Sequence, residues 1–168
     1  MVPKLAPYNP TADDAIEAAL SMAKLQRGER VLDLGCGDGK FLLAASLNTG
    51  VEGVGYEYDP IVFARGEARL VKALTAGGEV AEAATRISLI LGDACTASTE
   101  GINVIFVYLV PLGLEKVKPL IEQVLAKPNG RVLSNMFKLP GLQQDLTDCR
   151  VIRGCSVYLY SRSGAPTQ

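Results

Sequence analysis

The strongest constraint on the fold is a change of period between residues 30 and 47. Arg30 to Leu34 is a short β-type run, and Lys40 to Leu47 resumes at helical spacing. Between them lies a glycine cluster, Gly35-Cys36-Gly37-Asp38-Gly39. A turn this rich in glycine, set between strand and helix, supplies positive φ angles and bare backbone that a ligand can approach closely. A second β-type run, Val51 to Tyr56, ends at Glu57, eighteen positions beyond Gly39. In an open α/β sheet, ligands bind outside the carboxyl ends of the strands. A carboxylate there is placed to accept from both hydroxyls of a ribose.

The rest of the chain repeats the alternation. Thr11 reads as an N-cap, with Asp13 and Asp14 suited to the positive end of the helix dipole. Ile16, Ala19, Leu20, Ala23 and Leu25 form an apolar stripe that stops at Gly28. Asp59 caps another helix, with Pro60 at its first position, where a missing N–H costs nothing. That helix runs to Gly77-Gly78. Arg86 to Leu91 is a third strand, closed by Gly92-Asp93, and Asn103 to Val110 is an unalternating fourth, as a central strand buried on both faces should be. A helix from about Gly113 to Ala126 precedes a fifth strand, Arg131 to Phe137. Lys138 to Thr147 reads as loop, or at most a weak helix. Arg150 to Ser161 reads as β structure broken at Gly154, with Ser156 to Ser161 alternating like an antiparallel edge strand.

Strands alternating with helices predict an α/β fold whose central sheet is mostly parallel. The 168 residues fit one domain, expected over residues 11–162, with an N-terminal extension 1–10 and a loose tail 163–168. Hydrophobic residues make up 48% and charged residues 21%, which excludes a disordered or fibrous chain. A formal net charge of -1 shows no basic excess, so nothing marks a nucleic-acid-binding patch. There is no histidine, which removes the usual neutral-pH base and the commonest metal ligand. Cys36, Cys95, Cys149 and Cys155 contain no C-x-x-C pair, so no metal is expected and the thiols read as reduced. The longest apolar run, Val104 to Leu112, is too short for a membrane span, which takes about 20 residues. With no signal-peptide pattern in Met1 to Pro10, the expected location is cytoplasmic.

The glycine spacing is G-x-G-x-G rather than the dinucleotide pattern G-x-G-x-x-G. Asp33 stands two residues before the first glycine and Asp38 lies inside the loop. Two carboxylates repel a pyrophosphate and attract an ammonium. A cationic cofactor with a ribose fits better than NAD, and that cofactor is S-adenosylmethionine (SAM).

Asp33-Leu-Gly-Cys-Gly-Asp-Gly39 resembles motif I of the class I SAM-dependent methyltransferases, and Gly53-Val-Gly-Tyr-Glu57 resembles motif II. Gly92-Asp93-Ala94 resembles the motif that reads adenine. Tyr8-Asn-Pro-Thr11, Gly-Asp-Gly-Lys40, Val107-Tyr-Leu-Val-Pro111 and Gly130-Arg-Val-Leu-Ser134 are similar to a narrower group. It comprises the small lysine methyltransferases acting on ATP synthase subunit c and the adenine nucleotide translocase, and their short bacterial relatives. Ala12 stands where many of these have proline, and the hydrophobic N-terminal segment of the mitochondrial members has no counterpart here.

The resemblance implies a Rossmann-like fold with helices on both faces of the sheet and an antiparallel C-terminal edge. It implies SAM as cofactor and S-adenosylhomocysteine as product. Asp33 and the backbone at Gly35 and Gly37 would hold the methionine part, Glu57 the ribose, and Asp93 with Ala94 the adenine. Tyr8 and Thr11 would close over the methionine end. Cys36, a small side chain packing beneath the cofactor, and Tyr58, beside Glu57, complete the cofactor set.

Methyl transfer from a sulfonium needs alignment and exclusion of water more than a strong base. An amine acceptor must first lose a proton, helped by desolvation or by a nearby phenol or carboxylate. Tyr108 is the candidate catalytic residue lining the acceptor channel; the alternative is a core tyrosine. Asn135 and Phe137 read more readily as a strand terminus than as acceptor contacts, and Lys40 as a solvated cap. The leading expectation is transfer to a lysine of a protein substrate. The alternatives are a catalytically inactive SAM-binding scaffold acting as a partner-binding subunit, or a methyltransferase of a small molecule. Oligomeric state is left open.

Overall fold

The computed structural model describes residues 8–162; the expected tail at residues 163–168 lies outside them. Seven strands form one sheet: β1 (Arg30–Leu34), β2 (Glu52–Glu57), β3 (Ile87–Leu91), β4 (Val104–Val107), β5 (Arg131–Asn135), β6 (Leu146–Ile152) and β7 (Cys155–Ser161). Their spatial order is β3-β2-β1-β4-β5-β7-β6. The first five are parallel, and β7 runs antiparallel to both β5 and β6. The helices are α1 (Asp13–Ala23), α2 (Lys40–Thr49), α3 (Pro60–Ala76), α4 (Gly78–Thr85) and α5 (Pro111–Leu125). The expected class, a mostly parallel α/β sheet with an antiparallel C-terminal end, is the one that forms.

Period-2 geometry sends alternate side chains to opposite faces of the sheet, and both faces are apolar here. Val31, Val104, Phe106, Leu133 and Val157 meet Ile16 and Ala19 of α1 and Leu42 and Ala45 of α2 on one side. Leu32, Leu34, Ile105, Val107, Val132 and Tyr160 meet Leu114, Val117, Ile121 and Val124 of α5 on the other. Every residue of β4 is buried, which explains its unbroken apolar run.

Several local expectations change. Thr11 does not cap α1: the helix begins at Asp13, Ala12 holds the cap position, and no side chain closes it. The helix stops at Lys24, which turns left-handed at φ 48°, four residues before Gly28. The helix from Pro60 does end at Gly77, as expected, but a further helix that the sequence did not announce, α4, follows at once. The fourth strand stops at Val107, and α5 starts at Pro111. The proline has no N–H to leave unpaired at a helix start. The break at Gly154 is the tip of a hairpin, Arg153 and Gly154 both lying at positive φ. That hairpin puts β7 inside the sheet and makes β6 the edge, so Ser156–Ser161 is not the edge strand it resembles.

Candidate active site

The carboxyl ends of β1, β2 and β4 open onto one cleft. All eleven residues named above for cofactor and catalysis line it: Tyr8, Thr11, Asp33, Gly35, Cys36, Gly37, Glu57, Tyr58, Asp93, Ala94 and Tyr108. The glycine loop hangs from the end of β2. Gly35 N–H and Cys36 N–H both donate to the Tyr56 carbonyl, at 3.0 and 2.9 Å. Gly37 N–H donates to Glu57 Oε2 at 3.0 Å, while Glu57 Oε1 accepts from Asp59 N–H at 2.7 Å. Glu57 thus braces the loop and the start of α3 together.

Two glycines are dictated by close approach. Gly37, at φ 57°, lies under the Tyr8 ring, and a Cβ there would stand 3.0 Å from Tyr8 Cε2. A Cβ on Gly55 of β2 would meet Cβ and Sγ of Cys36 at 2.7 Å. The missing side chain lets the loop lie down on the sheet. Cys36 is buried beneath the cleft, and burial first, then the charges of Asp33 and Glu57, raises its thiol pKa far above the ordinary value. A thiol held protonated is a packing group, not a nucleophile.

Asp33 is 2% exposed. Burial, then the negative charges of Glu57 and Asp38, raises its carboxyl well above the usual range. It forms no ion pair among the described residues. A buried acid without a cation, facing a cleft, is a socket for a positively charged group. Asp38, read from sequence as a second acid facing the ligand, does line the cleft but already has a cation. The Arg69 guanidinium of α3 pairs with its carboxylate, and Arg69 Nε donates to its carbonyl at 3.0 Å. Asp38 Oδ1 also accepts from Lys40 N–H at 3.2 Å, at the first residue of α2.

The segment Tyr8–Thr11 closes one side. Arg65 lies 5.6 Å from the centroid of the Tyr8 ring. Burial and the charge of Asp38 raise the Tyr8 phenol pKa. Lys40 is no idle cap: its Nζ stands 2.8 Å from Asp13 Oδ1 and donates to the Thr11 carbonyl at 3.2 Å, tying this segment to α2. Phe41 and Phe106 stack at 3.7 Å between centroids and also line the cleft. Asp93 accepts from Cys95 N–H at 2.9 Å, which fixes the turn carrying the buried Ala94.

Tyr108 follows the end of β4, and its hydroxyl contacts Asn9 and Met136. The cleft also takes in Leu109, within the segment 108–111 expected to face the transferred methyl, and Asn9, Pro10 and Tyr56, to which sequence reasoning assigned no role. The signal for those three was membership of the motifs Tyr8–Thr11 and Gly53–Glu57. Asn135 and Phe137 do not line the cleft; Asn135 is buried and accepts from Cys155 Sγ at 3.6 Å.

The strand order, the closing hairpin and the glycine loop beneath a buried acid define a class I methyltransferase. Residues 33–146 match the family model of the ANTKMT methyltransferase domain. A protein-lysine N-methyltransferase of Saccharolobus islandicus (strain REY15A) is 31% identical over 136 residues, 80% of this chain and 79% of that protein. The chain belongs to the ANTKMT methyltransferase family and is a SAM-dependent methyltransferase. Among solved structures, an RNA methyltransferase from Salinibacter ruber in complex with S-adenosyl-L-homocysteine superposes with a TM-score of 0.78 at 25% identity, covering 95% of this chain and 98% of that one. Precorrin-6y C5,15-methyltransferase from Geobacter metallireducens GS-15 superposes at 0.71 with 15% identity, covering 92% and 90%; that likeness is one of fold. No helix among the described residues is long and apolar enough to cross a membrane.

Proposed function

We propose that this methyltransferase transfers a methyl group to a lysine amine of a protein. The observation that carries the reading is the protein-lysine N-methyltransferase relative, which is similar over four-fifths of both chains. The site's chemistry supports it. The carboxylates Asp33, Glu57 and Asp93 line the cleft at the ends of β1, β2 and β3. Tyr108, Asn9 and Leu109 offer a phenol, an amide and an apolar wall instead. Such a wall strips water from an entering ammonium and so favours its neutral, nucleophilic form.

SAM supplies an activated methyl group on a sulfonium. Asp33 fits its ammonium, as the socket described above, and Glu57 retains lone pairs for the ribose hydroxyls beside its two backbone donors. Asp93 and Ala94 stand where the adenine would lie. Tyr8 and Thr11 cover the methionine end, Cys36 packs beneath, and Tyr58 flanks Glu57. Tyr108 faces the acceptor.

The test is labelling with CD3-SAM in whole extract from cells lacking the protein, separated into protein, RNA and small molecules, followed by digestion of the polymers and mass spectrometry. Label on lysine Nε supports the reading. Label in RNA, on a small molecule or on another side chain overturns it, and S-adenosylhomocysteine binding without any transfer points to a scaffold.

A further inference from the structure

The Tyr108 hydroxyl is held from two sides. Asn9 Nδ2 donates to its oxygen at 2.7 Å, and the hydroxyl donates to Met136 Sδ at 3.3 Å. The three residues come from distant parts of the chain: the segment before α1, the end of β4 and the turn after β5. Met136 holds a backbone φ of 72°, where side chains other than glycine are uncommon. Its neighbours impose that angle. Met136 N–H donates to the Ser156 carbonyl of β7 at 2.7 Å, Phe137 N–H to the Asn135 carbonyl at 2.9 Å, and Ser134 Oγ to the Phe137 carbonyl at 2.6 Å. Yet Met136 is 47% exposed, so core packing does not account for the strain. Strained residues of this kind gather at functional sites.

A phenol carries one proton and two lone pairs. Asn9 occupies one lone pair, and Met136 takes the proton. The second lone pair is left for a ligand in the cleft. An amine awaiting methylation has N–H groups to donate but must keep its own lone pair free. A phenol with a loose proton would donate to that lone pair and block attack. A thioether is a weak acceptor, so its contribution is direction rather than strength.

We propose that Asn9 and Met136 are positioning residues that orient the Tyr108 hydroxyl, so that its oxygen accepts an N–H of the acceptor amine and leaves the amine lone pair free. The proposal rests on the lysine reading above and assigns two residues to it.

Two measurements on the full-length protein test it. The first needs no acceptor: 13C-methyl methionine NMR of the S-adenosylhomocysteine complex, with the Met136 signal assigned by its loss in Met136→Leu. Asn9→Ala and Tyr108→Phe should each move that signal, and Asn9→Ala should move it no further when Phe replaces Tyr108. A Met136 signal unmoved by Asn9→Ala overturns the coupling. The second measures transfer from SAM to poly-L-lysine. Asn9→Leu keeps the volume but can neither donate nor accept, so it should lower kcat about tenfold, as should Tyr108→Phe, the scale of one hydrogen bond. The double variant should be no slower than Tyr108→Phe alone. Met136→Leu should lower kcat and KM together, because the released phenol proton binds the amine lone pair in the ground state. Affinity for S-adenosylhomocysteine should stay within about twofold throughout. Additive losses, or full activity in Asn9→Leu, overturn the proposal while lysine methylation stands. A wild-type protein that binds S-adenosylhomocysteine yet methylates lysine neither in poly-L-lysine nor in total protein overturns the lysine reading and, with it, the proposed amine contact.

Discussion

Replacing Glu57 separates scaffolding from binding, because its two oxygens already serve the protein. Oε2 accepts from Gly37 N–H and Oε1 from Asp59 N–H, at 3.0 and 2.7 Å. A hydrogen bond to a charged acceptor contributes about 1.5–3 kcal/mol. Gly37 is buried while Asp59 is only half-buried, so water replaces part of the second bond and the pair amounts to roughly 2–4 kcal/mol. Glu57→Ala should therefore lower the melting temperature by roughly 5–15 °C at this chain length. It should also weaken S-adenosylhomocysteine about 100-fold, since the ribose loses a charged acceptor and the loop its brace. Glu57→Gln keeps one oxygen and points an NH2 group at the other backbone donor, so about half the stability loss should remain. Calorimetric titration and thermal melting of both variants decide the matter. A lowered melting point with undiminished affinity would remove Glu57 from the ligand site; unchanged melting in both would refute the brace.

Asp33 should show the reverse trade. Its carboxyl is raised in the folded state, so its contribution to stability is fully present below the ordinary carboxylate range and is lost as pH climbs through the raised pKa. Asp33→Asn should then gain stability over wild type as pH rises, in urea denaturation across that window, yet bind S-adenosylhomocysteine at least about tenfold more weakly. An advantage that shrinks with pH contradicts the assignment. Gly55→Ala forces a Cβ to 2.7 Å from Cys36 and should cost about 1–3 kcal/mol in chemical denaturation. A neutral result means the loop has room to lift. Arg69→Ala unpairs Asp38; with side chains 37% and 14% exposed, solvent screening holds the loss to about 0.5–1.5 kcal/mol. The deficit should shrink in Arg69→Lys, and equal melting of all three proteins would make the pair decorative.

The parts of the fold legible in the sequence were those specified locally. Asp59-Pro60 announces the start of α3, and its side chain does accept from Ile61 N–H at 2.9 Å. The glycine loop and Glu57 stand out because a tight turn and a strand-end carboxylate each require particular residues. The misreadings share one cause, a signal whose outcome depends on distant partners. Gly77 does end α3, but α4 beyond it went unread, because only burial of Ala83 and Ala84 in the folded chain holds it. The alternation of Ser156–Ser161 describes a strand without saying how many neighbours it has. Asn9 meets Tyr108 across 99 positions and Lys40 reaches Thr11 across 29, distances over which spacing carries no information.

The position of β7 also has a cost in time. It lies between β5 and β6 but follows both in the chain. Until residues 155–161 are made, the buried Val132 and Leu133 of β5 sit on an open sheet edge, and β6 has nothing to pair with. Pairing that closes late and over long separations is slow and leaves strands exposed to other chains. Shortening the protein by this one hairpin arm therefore withdraws two strands, and the species left behind is one that sticks to its copies.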